Sequence, residues 1–323
     1  MSRLNLNFAC GSYDLLRPLW EKVVEPAGID LNVMTMQSPE RHGRMLRHEE
    51  FDACELSLVG YLVAHDQGRD FTAIPAFPHR RFRHSYMVKR TGCGIEKPSD
   101  LNGKRIGLDT LQNSAGLWMR GILQDYYGLD LSTVEWWCQE EEDVPLEPAS
   151  WMKIHRVGEG RNIDEMLCAG ELEGSLYPEV LPSIRAGSDK VALLFPDPRQ
   201  AEVEYYGKSG IFPIMHTVVI KDEILERSPW VAVSLLQALQ RSKEVCYERM
   251  RDPRSLALVW AKEELQEQHA IFGSDPWPYS LEANRPALEA AVRYEFEQGM
   301  IKHKPEIEDL FFPPSLQEIQ HYV

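Results

Sequence analysis

Short apolar runs, each followed by a stretch with helical spacing, recur from the first residues of the chain. Leu4 to Ala9 reads as a strand, Cys10-Gly11-Ser12-Tyr13-Asp14 as the turn after it, and Leu15, Leu16, Leu19, Trp20 and Val23 as one face of an amphipathic helix. Leu31 to Met36 is a second strand. It ends at Gln37-Ser38-Pro39-Glu40, where Ser38 can cap a helix whose first residue is Pro39. Phe51 to Leu56 feeds an apolar helix, Leu58 to His65. Phe71 to Phe77 is a further strand leading into the basic loop PHRRFRH, and Ser85 to Lys89 is strand-like again.

The rhythm continues with a strand at Arg105 to Leu108 and a helix capped by Asn113-Ser114 that runs to about Tyr127. Gln139 to Ser150, acidic and proline-bearing, reads as an exposed loop. Strands follow at Lys153 to Val157, Gly174 to Tyr177 and Val191 to Leu194, with a helix at Ile163 to Ala169 between the first two, and from Pro229 onward the chain is predominantly helical. Repeated strand-helix units with short connections predict an α/β fold with a mostly parallel sheet, helices on both faces and ligands at the carboxyl ends of strands.

Composition narrows the function classes. A chain of 323 residues, 43% hydrophobic and 26% charged, is an ordinary globular protein with room for two lobes. A formal charge of −15 and the lack of a Lys/Arg-rich stripe argue against nucleic acid, so an anionic small ligand has to be met by a local cationic patch. Six scattered cysteines without a CxxC pair read as reduced thiols. No leader-like segment or apolar run of membrane-spanning length is present, which predicts a cytoplasmic protein with no membrane partner.

The order of pieces resembles the type II periplasmic-binding-protein fold, in which the chain crosses twice between two α/β lobes that form a ligand cleft. The matching crossover segments are Ser85 to Lys89 and His216 to Lys221, giving lobe one as 1–87 plus 219–323 and lobe two as 88–218. More closely, NFACGSYD, FDACELS, PAFPHRRFRHS, DLNGKRIGLDTLQNSAG and GSLYPEVLP are similar to the cytoplasmic branch of this fold that includes 4,5-dihydroxyphthalate decarboxylase. PAFPHRRFRHS is the most distinctive of these, whereas DLNGKRIG is widespread among solute-binding relatives. The resemblance implies a carboxy-lyase that converts a dihydroxylated aromatic diacid to protocatechuate and carbon dioxide without a cofactor.

His79-Arg80-Arg81-Phe82-Arg83-His84 is the densest cationic cluster on this acidic chain. If extended, it puts His79, Arg81 and Arg83 on one face and Arg80, Phe82 and His84 on the other. Guanidinium forks suit carboxylates, and an imidazole moves protons near neutral pH; the plain alternative for part of the cluster is pairing with surface carboxylates. The expected roles are Arg80 and Arg81 on the retained carboxylate, His79 or His84 protonating the ring carbon, and Glu55 or Tyr177 managing the phenols. Ser12, Tyr13 and Ser57 follow the first and third strands, and Asn113 and Ser114 open a helix whose amides can hold an anion. Asp14 reads as a helix cap, and His216 as a substrate contact entering from the second crossing. No metal-binding spacing or nucleotide fingerprint occurs, so a divalent metal would need ligands distant in sequence, drawn from His79, His84 and His216. The rival expectation is a receptor or sensor that releases its ligand unchanged. A homo-oligomer is compatible with the helical C-terminal part ending near Phe311-Phe312-Pro313-Pro314.

Overall fold

A computed structural model describes residues 3–313. Its strands are β1 (Leu4–Cys10), β2 (Ile29–Thr35), β3 (Ala53–Ser57), β4 (Phe71–Ile74), β5 (Met87–Arg90), β6 (Arg105–Leu108), β7 (Glu135–Cys138), β8 (Lys153–Arg156), β9 (Gly174–Leu176), β10 (Val191–Leu193) and β11 (His216–Lys221). Its α-helices are α1 (Arg17–Trp20), α2 (Ser38–His48), α3 (Leu58–Asp66), α4 (Ser114–Tyr127), α5 (Ile163–Ala169), α6 (Pro182–Arg185), α7 (Pro198–Ser209), α8 (Asp222–Arg227), α9 (Trp230–Met250), α10 (Ala261–Phe272) and α11 (Leu281–Glu297).

The chain divides into two compact units. Of the described residues, the first holds 3–80, 214–288 and 305–313, and the second holds 81–213 and 289–304. These divisions differ from the 87/88 and 218/219 boundaries that the resemblance implied, because β5 lies whole in the second unit and β11 whole in the first. Residues 289–304, expected in lobe one, pack with the second unit. The Tyr294 ring lies edge-on to Trp118 at 5.7 Å, and Arg120 Nε donates to Gln298 Oε1 at 2.6 Å.

The first unit's sheet has the order β2-β1-β3-β11-β4 and the second unit's β10-β5-β9-β6-β7-β8. β11 runs antiparallel to both its neighbours, as does β5 to both of its own, while the remaining pairs in each sheet are parallel. The largely parallel sheet therefore carries one reversed strand in each unit. Each reversed strand is the first after the chain enters from the other unit, where no crossover helix is required to turn it round.

In the first unit, Leu6, Phe8 and Cys10 alternate on β1 to face a core shared with Ile220 of β11 and with Val231, Leu235 and Leu239 of α9. In the second, Val88 packs with Ile163, Met166 and Leu167 of α5. The helix expected over Leu15 to Val23 shortens to α1: Pro18 stands in its first turn, Lys22 takes φ 57° just after it, and Val23 is exposed. Gln37 rather than Ser38 holds the cap position of α2, without a side-chain bond. Phe311 docks on its own chain, with Phe312 N donating to Ala73 O at 2.8 Å and the Phe311 ring against Phe77; Pro314 lies outside the described residues.

The packing of the second unit can be tested at two positions. A Cβ on Gly121 would overlap the buried Tyr294 ring, so Gly121→Val should cost ~2 kcal/mol or more in urea unfolding; an unchanged midpoint would contradict the packing. His84 is fully buried among Phe195, Tyr127 and Tyr205, and burial pushes its pKa down to about 4. The unfolded ring takes up a proton from about pH 6.5, which the folded ring refuses until about pH 4. Stability is therefore lost as pH falls through that window, by up to ~3 kcal/mol, and His84→Phe should flatten the slope. Glu202, 3.9 Å away and raised by burial, acts in the opposite sense, so the comparison is cleanest in a Glu202→Gln background.

Candidate functional site

Glu55 is the fixed point of the first unit. It sits near the end of β3 with its side chain fully buried, as is that of Arg41 on α2. Arg41 Nη2 lies 2.9 Å from Glu55 Oε2, Arg41 Nε donates to the Glu55 carbonyl at 2.7 Å, and Arg41 Nη1 donates to Met36 O at 2.6 Å. The Gly11 amide, just past β1, donates to the same Oε2 at 2.7 Å. Burial is the largest influence on Arg41 and lowers its pKa, but the charges of Glu55, Tyr13, Cys54 and Cys10 together outweigh it and the net shift is upward, so the guanidinium stays charged.

The other carboxylate oxygen, Oε1, makes a close hydrogen bond with Nδ1 of His216. His216 reaches it because β11 runs opposite to β3: its first residue pairs with Ser57, at the carboxyl end of β3. A carboxylate accepts only, so in the neutral ring Nδ1 carries the proton and Nε2 offers its lone pair. The Tyr13 hydroxyl lies 3.5 Å from the same Nδ1.

His79 and His42 surround this pair. The His79 ring stands edge-on to His216 with centroids 4.5 Å apart, and its carbonyl accepts from Met215 N and His216 N at 2.9 and 3.1 Å. The His42 ring meets His216 at 4.7 Å, and burial, reinforced by His216, holds its pKa well below the usual imidazole range. Tyr13 packs on His79 at 5.2 Å. Burial, then the Glu55 charge, pushes the Tyr13 hydroxyl upward, and burial does the same to the Cys10 and Cys54 thiols. One ligand atom each from Glu55, His79 and His216 lie within 4.8 Å of one another.

Of the residues singled out in sequence, Glu55, His79, His216 and Tyr13 thus come together. Ser57 caps α3, its Oγ accepting from Gly60 N, and Ser12 is exposed. The HRRFRH cluster is divided between the units after Arg80. Arg80 is 6% exposed and bridges to Ile214 through its backbone. Arg81 is exposed and donates to the Tyr86 hydroxyl at 2.6 Å, while buried Arg83 donates to Pro178 O at 2.8 Å. Alternation along an extended strand does not describe this loop, since Arg80, Arg83 and His84 are all buried.

In the second unit Asn113 caps α4, accepting from Ala115 N at 2.9 Å, and donates to Asp109 at 3.2 Å; Ser114, the first residue of α4, is buried. The Tyr177 hydroxyl bonds Asp109 and accepts from Gln139 Nε2 at 3.2 Å. Burial raises the Asp109 pKa to about 6. The amides of Leu111 and Gln112, ahead of α4, donate to the Glu142 carboxylate at 2.9 and 3.0 Å, so the acidic loop is exposed only in part. Arg41, His42, Asp109 and Glu142 went unremarked in the sequence. For the first two the signal was there: Arg41, Met45 and Leu46 share the buried stripe of α2, a place where a charge requires a partner.

The comparisons with known proteins fit these pieces. No protein-family model matches the chain. The E. coli aliphatic sulphonate-binding protein SsuA matches with a TM-score of 0.55 at 13% identity, covering 98% of this chain and 93% of its own. The alkanesulfonate-binding SsuA of Xanthomonas axonopodis pv. citri, bound to MOPS, matches at 0.57 and 10%, covering 96% and 98%. The fold is therefore type II periplasmic-binding-protein-like. A mutant of DszB, solved in complex with biphenyl-2-sulfinic acid, matches at 0.51 and 13%, covering 99% and 100%. Among curated proteins, 4,5-dihydroxyphthalate decarboxylase of Pseudomonas putida is 35% identical over 64% of this chain and 83% of its own. The enzyme of that name from Comamonas testosteroni is 32% identical over 99% of this chain and the whole of its own length, and on that match the chain belongs to the 4,5-dihydroxyphthalate decarboxylase family.

Proposed function

We propose that the protein decarboxylates 4,5-dihydroxyphthalate to protocatechuate, with the Glu55, His216 and His79 cluster delivering the proton. The observation that carries this reading is the buried carboxylate whose one oxygen is held by Arg41 and the Gly11 amide and whose other oxygen holds His216, with His79 packed against that ring. Family membership supplies the substrate class.

The electron flow needs no redox cofactor. In the diacid each carboxylate has a hydroxyl para to it, and the ionised oxygen pushes an electron pair onto the ring carbon that bears the carboxylate. An imidazolium proton adds to that carbon. The bond to the carboxylate then breaks, its pair restores the aromatic ring, and carbon dioxide leaves, so one proton is consumed per turnover. His79, the more exposed of the two imidazoles, is the donor and is reprotonated from solvent. His216, fixed by Glu55, sets the position and charge of the neighbouring ring. Arg80, adjacent in the chain, holds the carboxylate that stays. We place the reaction in the cytoplasm, which the unpaired state of all six cysteines supports. No helix among the described residues is long and apolar enough to cross a membrane.

Binding without turnover is the reading that the sulfonate-binding neighbours favour. Incubating the purified protein with 4,5-dihydroxyphthalate and following protocatechuate by chromatography separates the two, since recovery of unchanged diacid from a tight complex would reject the decarboxylase. Two variants test the residue roles. His79→Ala should lower kcat by about 100-fold or more with KM changed little, as expected for a lost proton donor; a wild-type kcat would remove His79 from the chemistry. Glu55→Gln leaves the buried Arg41 charge without its counter-ion, so it should lose about 3 kcal/mol of stability in thermal or urea unfolding as well as kcat. Retention of both would show that the ion pair does not organise the site.

A further inference from the structure

We propose that Glu55, His79 and His216 form a binding site for a divalent transition-metal ion, and that an ion bound there inhibits the enzyme by occupying the imidazoles that its chemistry uses. The inhibitory half rests on the role given above to those imidazoles, whereas the binding half stands on the geometry alone.

The donor set is two imidazoles and one carboxylate, with one ligand atom from each inside a 4.8 Å span. Ligand atoms sharing one tetrahedral ion sit roughly 3 to 3.5 Å apart, a distance that modest side-chain rotations reach. The three come from well-separated parts of the chain, yet their backbones are locked together: His79 O accepts from the amides of Met215 and His216, and β3 and β11 are paired from Ser57 to Ala53. A site on such a frame is pre-organised rather than assembled on binding.

The surroundings also select the ion. Arg41 already neutralises Glu55 at 2.9 Å, so the carboxylate offers little net charge, and a hard cation such as Mg2+ or Ca2+ that depends on oxygen ligands gains little here. What remains is nitrogen affinity, which favours Zn2+, Ni2+, Co2+ and Cu2+. An ion held by His79 and His216 takes the lone pairs through which those rings accept protons, so it and catalytic turnover exclude each other.

The test uses the full-length protein after chelator treatment and desalting. Titration with Co2+ should produce the visible ligand-field bands of a four- or five-coordinate ion, and Zn2+ should displace it. His79→Gln and His216→Gln, checked for folding by circular dichroism, should each weaken Co2+ binding at least tenfold, while His269→Ala, an exposed position on α10, should not. Equal Co2+ affinity in wild type and in the two Gln variants would overturn the site. In the activity arm, saturating Zn2+ should reduce turnover of 4,5-dihydroxyphthalate at least tenfold, with recovery on adding EDTA. Unchanged turnover at saturation, or chelated enzyme that is inactive until metal is restored, would overturn the inhibition. Chelated and metal-loaded protein that both leave the diacid untouched, while Co2+ still binds, would instead reject the decarboxylase reading and keep the site.

Discussion

The ion pair between Arg41 and Glu55 is the contact around which the buried polar cluster of the first unit is arranged. Two charges removed from water cost several kcal/mol each, and that cost is offset only when nearly every donor and acceptor is used. Here it is met. Arg41 serves the Glu55 carbonyl and carboxylate and the Met36 carbonyl, and the Gly11 amide adds a further donor to the carboxylate. A well-packed apolar pair would serve stability as well, so what the charged pair adds is position: it ties α2 and the exits of β1 and β3 to one carboxylate. One oxygen of that carboxylate is left to face His216.

The reversed strand makes this arrangement possible. In an all-parallel sheet, the residues gathered at the carboxyl ends of strands all come from loops that follow them. β11 runs the other way, so its first residue, His216, arrives at the same edge as Ser57, the last residue of β3. His79 then reaches the site through backbone bonds to the start of β11 rather than through a strand of its own. A carboxylate near the end of one strand and an imidazole at the start of another become neighbours although 161 residues separate them.

That dependence explains what could be read from the sequence. The strand and helix rhythm was legible because burial on one face imposes a local period, and α5 and β6 fall on the residues that the period marks. Glu55 was legible as a polar residue near the end of a predicted strand, and His79 and Tyr13 as polar residues just after theirs. The direction of β11 was not, because strand polarity is decided by pairing over long separations and leaves no local mark. His216 could therefore be noticed, but not its bond to Glu55. The HRRFRH loop misled in another way: its charges read as one cationic cluster with alternating faces, whereas the chain passes from one unit to the other after Arg80, and only His79 and Arg80 of the cluster stay with Glu55's unit.

The contrast between fold and sequence relatives bears on how much chemistry a scaffold carries. The sulfonate-binding proteins share this fold at 10 to 13% identity, which leaves backbone topology in common and says little about side chains. The decarboxylase relatives share about a third of their residues. A binding protein needs donors that recognise an anion, and amides at strand and helix ends suffice for that. In this chain the amides of Leu111 and Gln112 are taken by its own Glu142, the Gly11 amide is held by Glu55, and Ala115 N is occupied by the Asn113 cap. These strand- and helix-end amides hold the chain's own carboxylates and cap. Amides already engaged by the chain's own side chains leave recognition of an anion to side-chain donors, which is consistent with the proton delivery proposed above.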